Sequence, residues 1–415
     1  MTGTQPSPRF LMTVQTTLRY WLAQTAVLDD ATIHQLNPEF PNLLQAVKIG
    51  LALPEMWRES AQLILQTFFW IEGANHIGQW QPVVVKALQA VPTTHTSLCF
   101  RLLKQLGQFR RLQWDLETAV NTFKQAQLLA RHMQDDNATA EIHMNLCETY
   151  RCQRQYERAE TEGETALSLF SDTAPRLRAI TWQSLGHIAK EQGTLTLAET
   201  RFKHALAIPY DASFSVVDKT RTLAALATIY QAQSNYHQAL QLYQEIDDLL
   251  ANTSQAKDQI ENYINQGTLF YNWGKLDDAY TAFQAAAQML KLQTGLVLHK
   301  AVIANNIANV CRDRREWLAA ESYYQQSIVL YSQINNRLQA AKTITNLAKC
   351  YAQQGNNAAA LFQFEQASTL LKQIPANNQT QLLQKTIEEQ QTCLEQEKRN
   401  GKTASLPFPT PLATA

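Results

Sequence analysis

The stretch Ile303-Ala304-Asn305-Asn306-Ile307-Ala308-Asn309-Val310-Cys311-Arg312, followed by Trp317-Leu318-Ala319-Ala320-Glu321-Ser322-Tyr323-Tyr324-Gln325-Gln326-Ser327, decides the fold. Its small and large apolar residues recur at i, i+3, i+4 and i+7, the stripe of an amphipathic helix. The stripe is broken once, near Arg315, and then resumes. Two short helices joined by a tight turn are the reading.

The pattern is not confined to that stretch. A small residue preceded by an apolar one at most sites stands at Gly107, Cys147, Gly186, Ala227, Gly267, Ala308 and Ala348, with spacings of 40, 39, 41, 40, 41 and 40. Twelve residues after each of these anchors comes alanine every time: Ala119, Ala159, Ala198, Ala239, Ala279, Ala320 and Ala360. Four further on stand Phe123, Gly163, Phe202, Tyr243, Phe283, Tyr324 and Phe364. Such a period defines an array of repeated hairpins, and because one hairpin buries too little to be stable, the units must stack. Seven residues after the anchor, Gly193, Ser234, Gly274 and Gly355 supply a residue that tolerates positive φ. Trp114, Arg154 and Arg315 take that place in the other three units, where less sharp turns are expected.

These columns resemble the tetratricopeptide repeat, over about Ser97 to Gln373. The 40-residue unit is similar to the lengthened repeat of kinesin light chains, of polarity adaptors of the Leu-Gly-Asn type and of MalT-like bacterial signalling proteins. The resemblance implies an all-α fold, a right-handed α-α superhelix with an N-terminal helical cap. The expected division is a disordered N-terminus (1–8), an N-terminal helical region including a degenerate first hairpin (9–95), seven repeats (96–375), a capping helix (376–399) and a disordered tail (400–415). In the degenerate hairpin Phe68, Trp80, Val84 and Ala87 fall on the repeat columns. The run from Leu36 to Val47 also resembles the pre-repeat region of STAND signalling ATPases, which would make the chain a sensor arm without its motor.

Composition narrows the function. With 36 basic and 36 acidic side chains the net charge is zero, whereas a nucleic-acid binder needs a clear cationic excess. At 45% hydrophobic and 17% charged residues the chain can fold, yet no stretch is apolar enough to span a bilayer. Six cysteines without a Cys-x-x-Cys pair suit a reducing, cytoplasmic setting, so the Asn-x-Ser/Thr triplets at Asn137, Asn252 and Asn378 are read as chance. The nine histidines contain no metal-binding spacing, and no cofactor is implied. His143 reads as a packed core residue. Gly401-Lys402-Thr403 lacks the glycine a phosphate loop needs, since Gln396 stands there. The acid pairs Asp29-Asp30, Asp135-Asp136, Asp247-Asp248 and Asp277-Asp278 read as helix caps and dipole partners. No catalytic constellation emerges, so a non-enzymatic role is expected.

What remains is surface. First helices of stacked hairpins are expected to line a concave groove. Three of their polar columns carry Asn145, Asn265, Asn306 and Asn346, then Asn309 and Lys349, then Arg111, Arg151, Lys190 and Arg312. An asparagine amide offers a donor and an acceptor, so a row of them can bind an extended peptide backbone without reading its sequence. Light chains and polarity adaptors place an asparagine ladder in this way, and the resemblance implies the same role for these five asparagines. The basic residues add a positive groove suited to an acidic segment of a protein or peptide partner. The alternative, from a resemblance to the bacterial Rap proteins, is a peptide-sensing regulator whose N-terminal helical bundle acts on a response regulator. Oligomeric state is left open by the sequence.

Overall fold

The computed structural model describes residues 6–28, 30–73, 76–209, 215–251, 253, 255–291, 293, 295–374 and 378–400. Asn252 and the Gly401-Lys402-Thr403 triplet lie outside them, as does the expected tail from residue 401 onward. The described residues are helical, without strands, and divide into two units, residues 1–214 and 215–415.

The first unit opens with a bundle of six helices: α1 (Pro8–Gln24), α2 (Asp30–Leu36), α3 (Phe40–Leu51), α4 (Trp57–Gln66), α5 (Phe68–Gly73) and α6 (Ile77–Ala90). Helix α1 begins where Ser7 accepts the Phe10 amide with Pro8 at the first helical position, a pairing that starts helices. The core of the bundle gathers Leu18, Phe40, Leu43, Val47, Ile64, Trp70, Trp80 and Val84. Phe68, the expected anchor of the degenerate hairpin, opens the short helix α5 rather than standing mid-helix, while Trp80, Val84 and Ala87 are fully buried in α6. The leucine-rich run from Leu36 to Val47 serves as core, with Asn37 accepting from His76 at 3.0 Å beneath the stacked Phe40 and His76 rings.

Three hairpins follow in this unit: α7 (Thr96–Leu112) with α8 (Leu116–His132), α9 (Asp136–Cys152) with α10 (Tyr156–Leu169), and α11 (Pro175–Glu191) with α12 (Leu195–Ala207). The second unit holds four more: α13 (Val216–Ala232) with α14 (Tyr236–Leu250), α15 (Ala256–Asn272) with α16 (Leu276–Leu290), α17 (Val297–Asp313) with α18 (Trp317–Gln333), and α19 (Arg337–Gln353) with α20 (Asn357–Leu371). Helix α21 (Asn378–Asn400) packs on α19 and α20, its Leu383, Ile387 and Leu394 covering the last hairpin. Every first helix is 17 residues long, which places corresponding side chains at the same height in each hairpin.

The anchors explain how each hairpin closes. A Cβ added to Gly107, Gly186 or Gly267 would lie 2.5–2.7 Å from the ring of Phe123, Phe202 or Phe283, so the ring lies against bare backbone. The second hairpin reverses the arrangement: Cys147 faces Gly163, and Leu185 of the next hairpin fills the vacancy, 2.7 Å from where a Gly163 Cβ would stand. All seven column alanines are fully buried.

The turns correct one sequence expectation. Trp114, Arg154 and Arg315 adopt φ of 62°, 59° and 63°, the same left-handed conformation as Gly193, Ser234, Gly274 and Gly355. All seven first helices end alike: Arg315 N–H donates to the Arg312 carbonyl and Glu316 N–H to that of Cys311, and the same pair of bonds recurs in each hairpin. The hydrogen-bonded exit dictates the backbone, and the residue that occupies it only sets the cost.

Candidate functional site

Consecutive first helices within a unit touch one another, so their polar columns form one layer. In the first unit that layer is internally bonded. Gln105 donates to the Ile64 carbonyl at 3.1 Å, and Gln108 donates to Asn145 at 3.3 Å. The Asn145 amide nitrogen in turn donates to the Glu141 carbonyl at 2.7 Å, so both of its polar atoms are used. Lys104 pairs with Glu141 across α7 and α9. Arg111 and Arg151 both face Glu148, and Arg151 reaches Glu191 on α11 as well. Burial alone would raise the Glu148 carboxyl, but the Arg151 hydrogen bonds and the two guanidinium charges outweigh it and hold it low. Lys190 is half-buried, which lowers its ammonium. His187, beside it in this layer, is pushed down to about 4 by burial, with the Arg151 charge adding to the effect. Of the basic residues expected to make a positive groove here, Arg111 and Arg151 are therefore matched by Glu148 and Glu191.

The second unit differs. Asn305 uses both of its polar atoms, donating to Asn306 and accepting from Asn346, both at 3.3 Å. Asn306 thereby spends its oxygen and Asn346 its nitrogen. Asn309 spends its oxygen on the Tyr324 hydroxyl at 2.7 Å. Each of these three amides keeps one polar atom without a partner among the described residues. Asn265 is half-buried and keeps both, lining a cavity of about 220 Å³ with Glu261, Ile264, Leu298, His299 and Val302. Arg312 is buried and fully engaged, donating to Asp313 at 2.8 Å and to Tyr271 at 3.0 Å, with the Tyr324 hydroxyl at 3.5 Å. Lys349 is different: it forms no ion pair among the described residues, and burial together with the Arg312 charge lowers its ammonium. Lys342 lies seven residues earlier on α19, on the same stripe as Asn346 and Lys349, and burial lowers it too.

The ten residues singled out in the sequence thus fall into two groups. Asn145, Arg151 and Arg312 have their polar groups committed inside the protein, and Arg111 pairs with Glu148 at 3.8 Å while its buried Nε makes no hydrogen bond among the described residues. Asn265, Asn306, Asn309, Asn346 and Lys349 keep capacity, and Lys190 shares its layer with the ion-paired set. Lys342, Asn305, Tyr271 and Tyr324 were not among the ten. Lys342 occupies the column six before the anchor, where Arg101, Glu141, Arg221 and Glu261 also stand, a mostly charged column of both signs interrupted by Ile180 and Val302. Glu191 and Asp313, five after their anchors, neutralise Arg151 of the preceding hairpin and the adjacent Arg312 respectively.

Two other expectations concern acids and a histidine. Asp135 does cap α9, accepting the Ala138 amide at 2.9 Å. Asp247 does not cap: it accepts from Asn262 and Gln266 at 2.7 Å each, tying α14 to α15. Asp277 pairs with Arg314. His143 is packed between Gln127 and Glu162. Among the described residues no group of three or more His, Cys, Asp or Glu is placed to hold a metal, and no helix is long and apolar enough to cross a membrane.

Comparison with known proteins agrees with the geometry. Residues 222–248 and 300–373 match models of the tetratricopeptide repeat. A search of curated proteins finds no match. Among solved structures, the apo form of the quorum sensor NprR from B. thuringiensis is similar over 87% of this chain and 99% of that one, at 14% identity and a TM-score of 0.58. The apo form of RapI covers 66% of this chain and 99% of its own at 14% identity and a TM-score of 0.49. Kinesin light chain repeats from Podosopora anserina cover 48% and 99% at 15% identity and a TM-score of 0.41. Stacked hairpins closed by small residues against buried rings agree with the tetratricopeptide repeats matched at residues 222–248 and 300–373, and the fold is that of an α-α superhelix.

Proposed function

We propose that the chain is a non-enzymatic protein- or peptide-binding module whose site is the first-helix layer of the second unit, and that its ligand is an extended acidic segment. One observation carries this reading. Asn265, Asn306, Asn309 and Asn346 retain uncommitted amide groups beside two lysines, Lys342 and Lys349, that lack counter-ions among the described residues. Free donors on Asn306 and Asn309 and a free acceptor on Asn346 suit the alternating carbonyls and amides of an extended backbone. An acidic side chain would return the charge balance that burial has made costly at the lysines.

The supporting experiment is selection of ligands from a random peptide library on the full chain. Enriched sequences should be acidic, and Lys342→Glu/Lys349→Glu should abolish their capture. Asn306→Ala/Asn346→Ala should weaken it by about tenfold, on the scale of one or two lost hydrogen bonds. Capture that is indifferent to both pairs sinks the proposal.

A second reading shares this site and differs in output. The similarity to a quorum sensor extends over 87% of the chain, a span that takes in helices of the N-terminal bundle, which favours a peptide-sensing regulator acting through that bundle on a response regulator. Loss of phosphate from a phosphorylated response regulator would support it; the binding-module reading expects none.

A further inference from the structure

A second cleft lies in the first unit, where α4 meets α7. Its volume is about 540 Å³, and its walls include Trp57, Arg58, Leu65, His95, Leu98 and Arg101. The two helices run side by side in the same direction: Trp57 meets His95 at one end, ring centroids 4.9 Å apart, and Gln105 reaches the Ile64 carbonyl at the other. Trp57, Leu65 and Leu98 give the cleft an apolar floor, while Arg58 and Arg101 stand exposed on its two sides. Arg58 rests over the Trp57 ring at 5.1 Å.

Lone exposed arginines are ordinary; this pair is not isolated. Both face one cleft, and neither forms an ion pair among the described residues. Arg111, Arg151, Arg178 and Arg201 of the same unit are each paired with a carboxylate, whereas Arg19, Arg131 and Arg154 also form no ion pair among the described residues but do not line this cleft, so it is the shared cleft that sets Arg58 and Arg101 apart. The parallel arrangement also brings the first turns of α4 and α7 to the same end; Glu59 offsets the α4 terminus, while the α7 first turn carries no acid and adds one positive helix end. A volume of this size is in the range of ligand pockets and suits a few residues of chain rather than a lone ion.

We infer that this cleft is a second docking site, for a protein segment that places acidic side chains on Arg58 and Arg101 and an apolar side chain against Trp57, Leu65 and Leu98. Charge complementarity selects the ligand. Arginine favours carboxylates through paired N–H donors, and the indole under Arg58 holds its plane ready for such a pair. The inference is independent of the second unit's site, since the residues involved belong to the first unit alone.

The test uses the full chain and reads the Trp57 indole N–H resonance, assigned by its disappearance in Trp57→Phe. The probe is an acetylated, amidated hexapeptide alternating aspartate and leucine, with the lysine–leucine counterpart and inorganic phosphate at equal ionic strength as controls. The aspartate peptide should shift the resonance saturably, the lysine peptide should not, and Arg58→Glu/Arg101→Glu should raise the apparent Kd at least about tenfold. Lys342→Glu/Lys349→Glu should leave this shift unchanged, which separates failure here from failure at the other site. Because Arg58 and Arg101 are exposed, the double variant is expected to keep the helical circular dichroism, and Arg58→Gln/Arg101→Gln supplies a milder check. No shift at millimolar peptide, an equal shift in the charge-reversed variant, or a shift that phosphate reproduces in full overturns the inference.

Discussion

Replacing Gly355 by alanine isolates the cost of one backbone conformation. Its φ is 78°, and a Cβ added there would meet nothing within 4 Å, so no steric clash complicates the substitution. Holding an L-residue in the left-handed region costs about 1–2 kcal/mol, and alanine recovers about 0.4–1 kcal/mol through a less free unfolded chain. The net loss is about 1 kcal/mol. Arg315 supplies the reverse experiment: it is exposed, joins no ion pair among the described residues, and has φ of 63°. Arg315→Gly therefore should stabilise the second unit by about 0.5–1 kcal/mol, against the usual destabilising effect of glycine. Urea unfolding followed by circular dichroism at 222 nm measures both, and a change of 1 kcal/mol moves Tm by about 2–4 °C in a unit of this size. An unaffected Gly355→Ala, or an Arg315→Gly variant weakened by about 1 kcal/mol, would refute the claim that the same strained exit is built into every hairpin.

Tyr324→Phe should cost about 1–3 kcal/mol in the same assay, because it strands the buried Asn309 oxygen and removes a partner of Arg312, while the ring keeps its place in the buried core. Acid should weaken the first unit through His187. Its folded pKa of about 4 lies below the ordinary histidine value of 6.5, so the stability it contributes is present above pH 6.5 and is lost as pH falls toward 4. His187→Gln should remove that part of the acid limb in a pH series of unfolding midpoints; an unchanged limb would assign it to other groups.

Architecture was written plainly in the sequence because it depends on volume at fixed spacing. Alanine in one column and a ring or its substitute in another specify a hairpin whatever surrounds them, and Gly163 opposite Cys147 obeys the same rule with the sizes exchanged. Turn geometry was misjudged at Trp114, Arg154 and Arg315 because propensity suggested relaxed turns, whereas the pair of hydrogen bonds closing each first helix fixes φ regardless of residue. The groove was only half legible. Columns of Arg and Asn announce polar capacity, but whether it is spent depends on partners next door in the chain or about 40 residues away. Glu191 reaches Arg151, Asp313 and Tyr271 occupy Arg312, and Asn305 ties Asn306 to Asn346. Glu191, Asp313 and Asn305 stand in columns that carry no repeated residue type, and Tyr271 interrupts the basic column, so periodicity alone passes over them.

Photo-cross-linking reports most directly where a ligand lies. A benzophenone side chain placed at Lys342, on the first-helix layer, should form adducts with a library-selected acidic peptide, while one placed at Phe362, exposed on the second helix α20, should form none. Adducts at Phe362 with none at Lys342 would contradict the account.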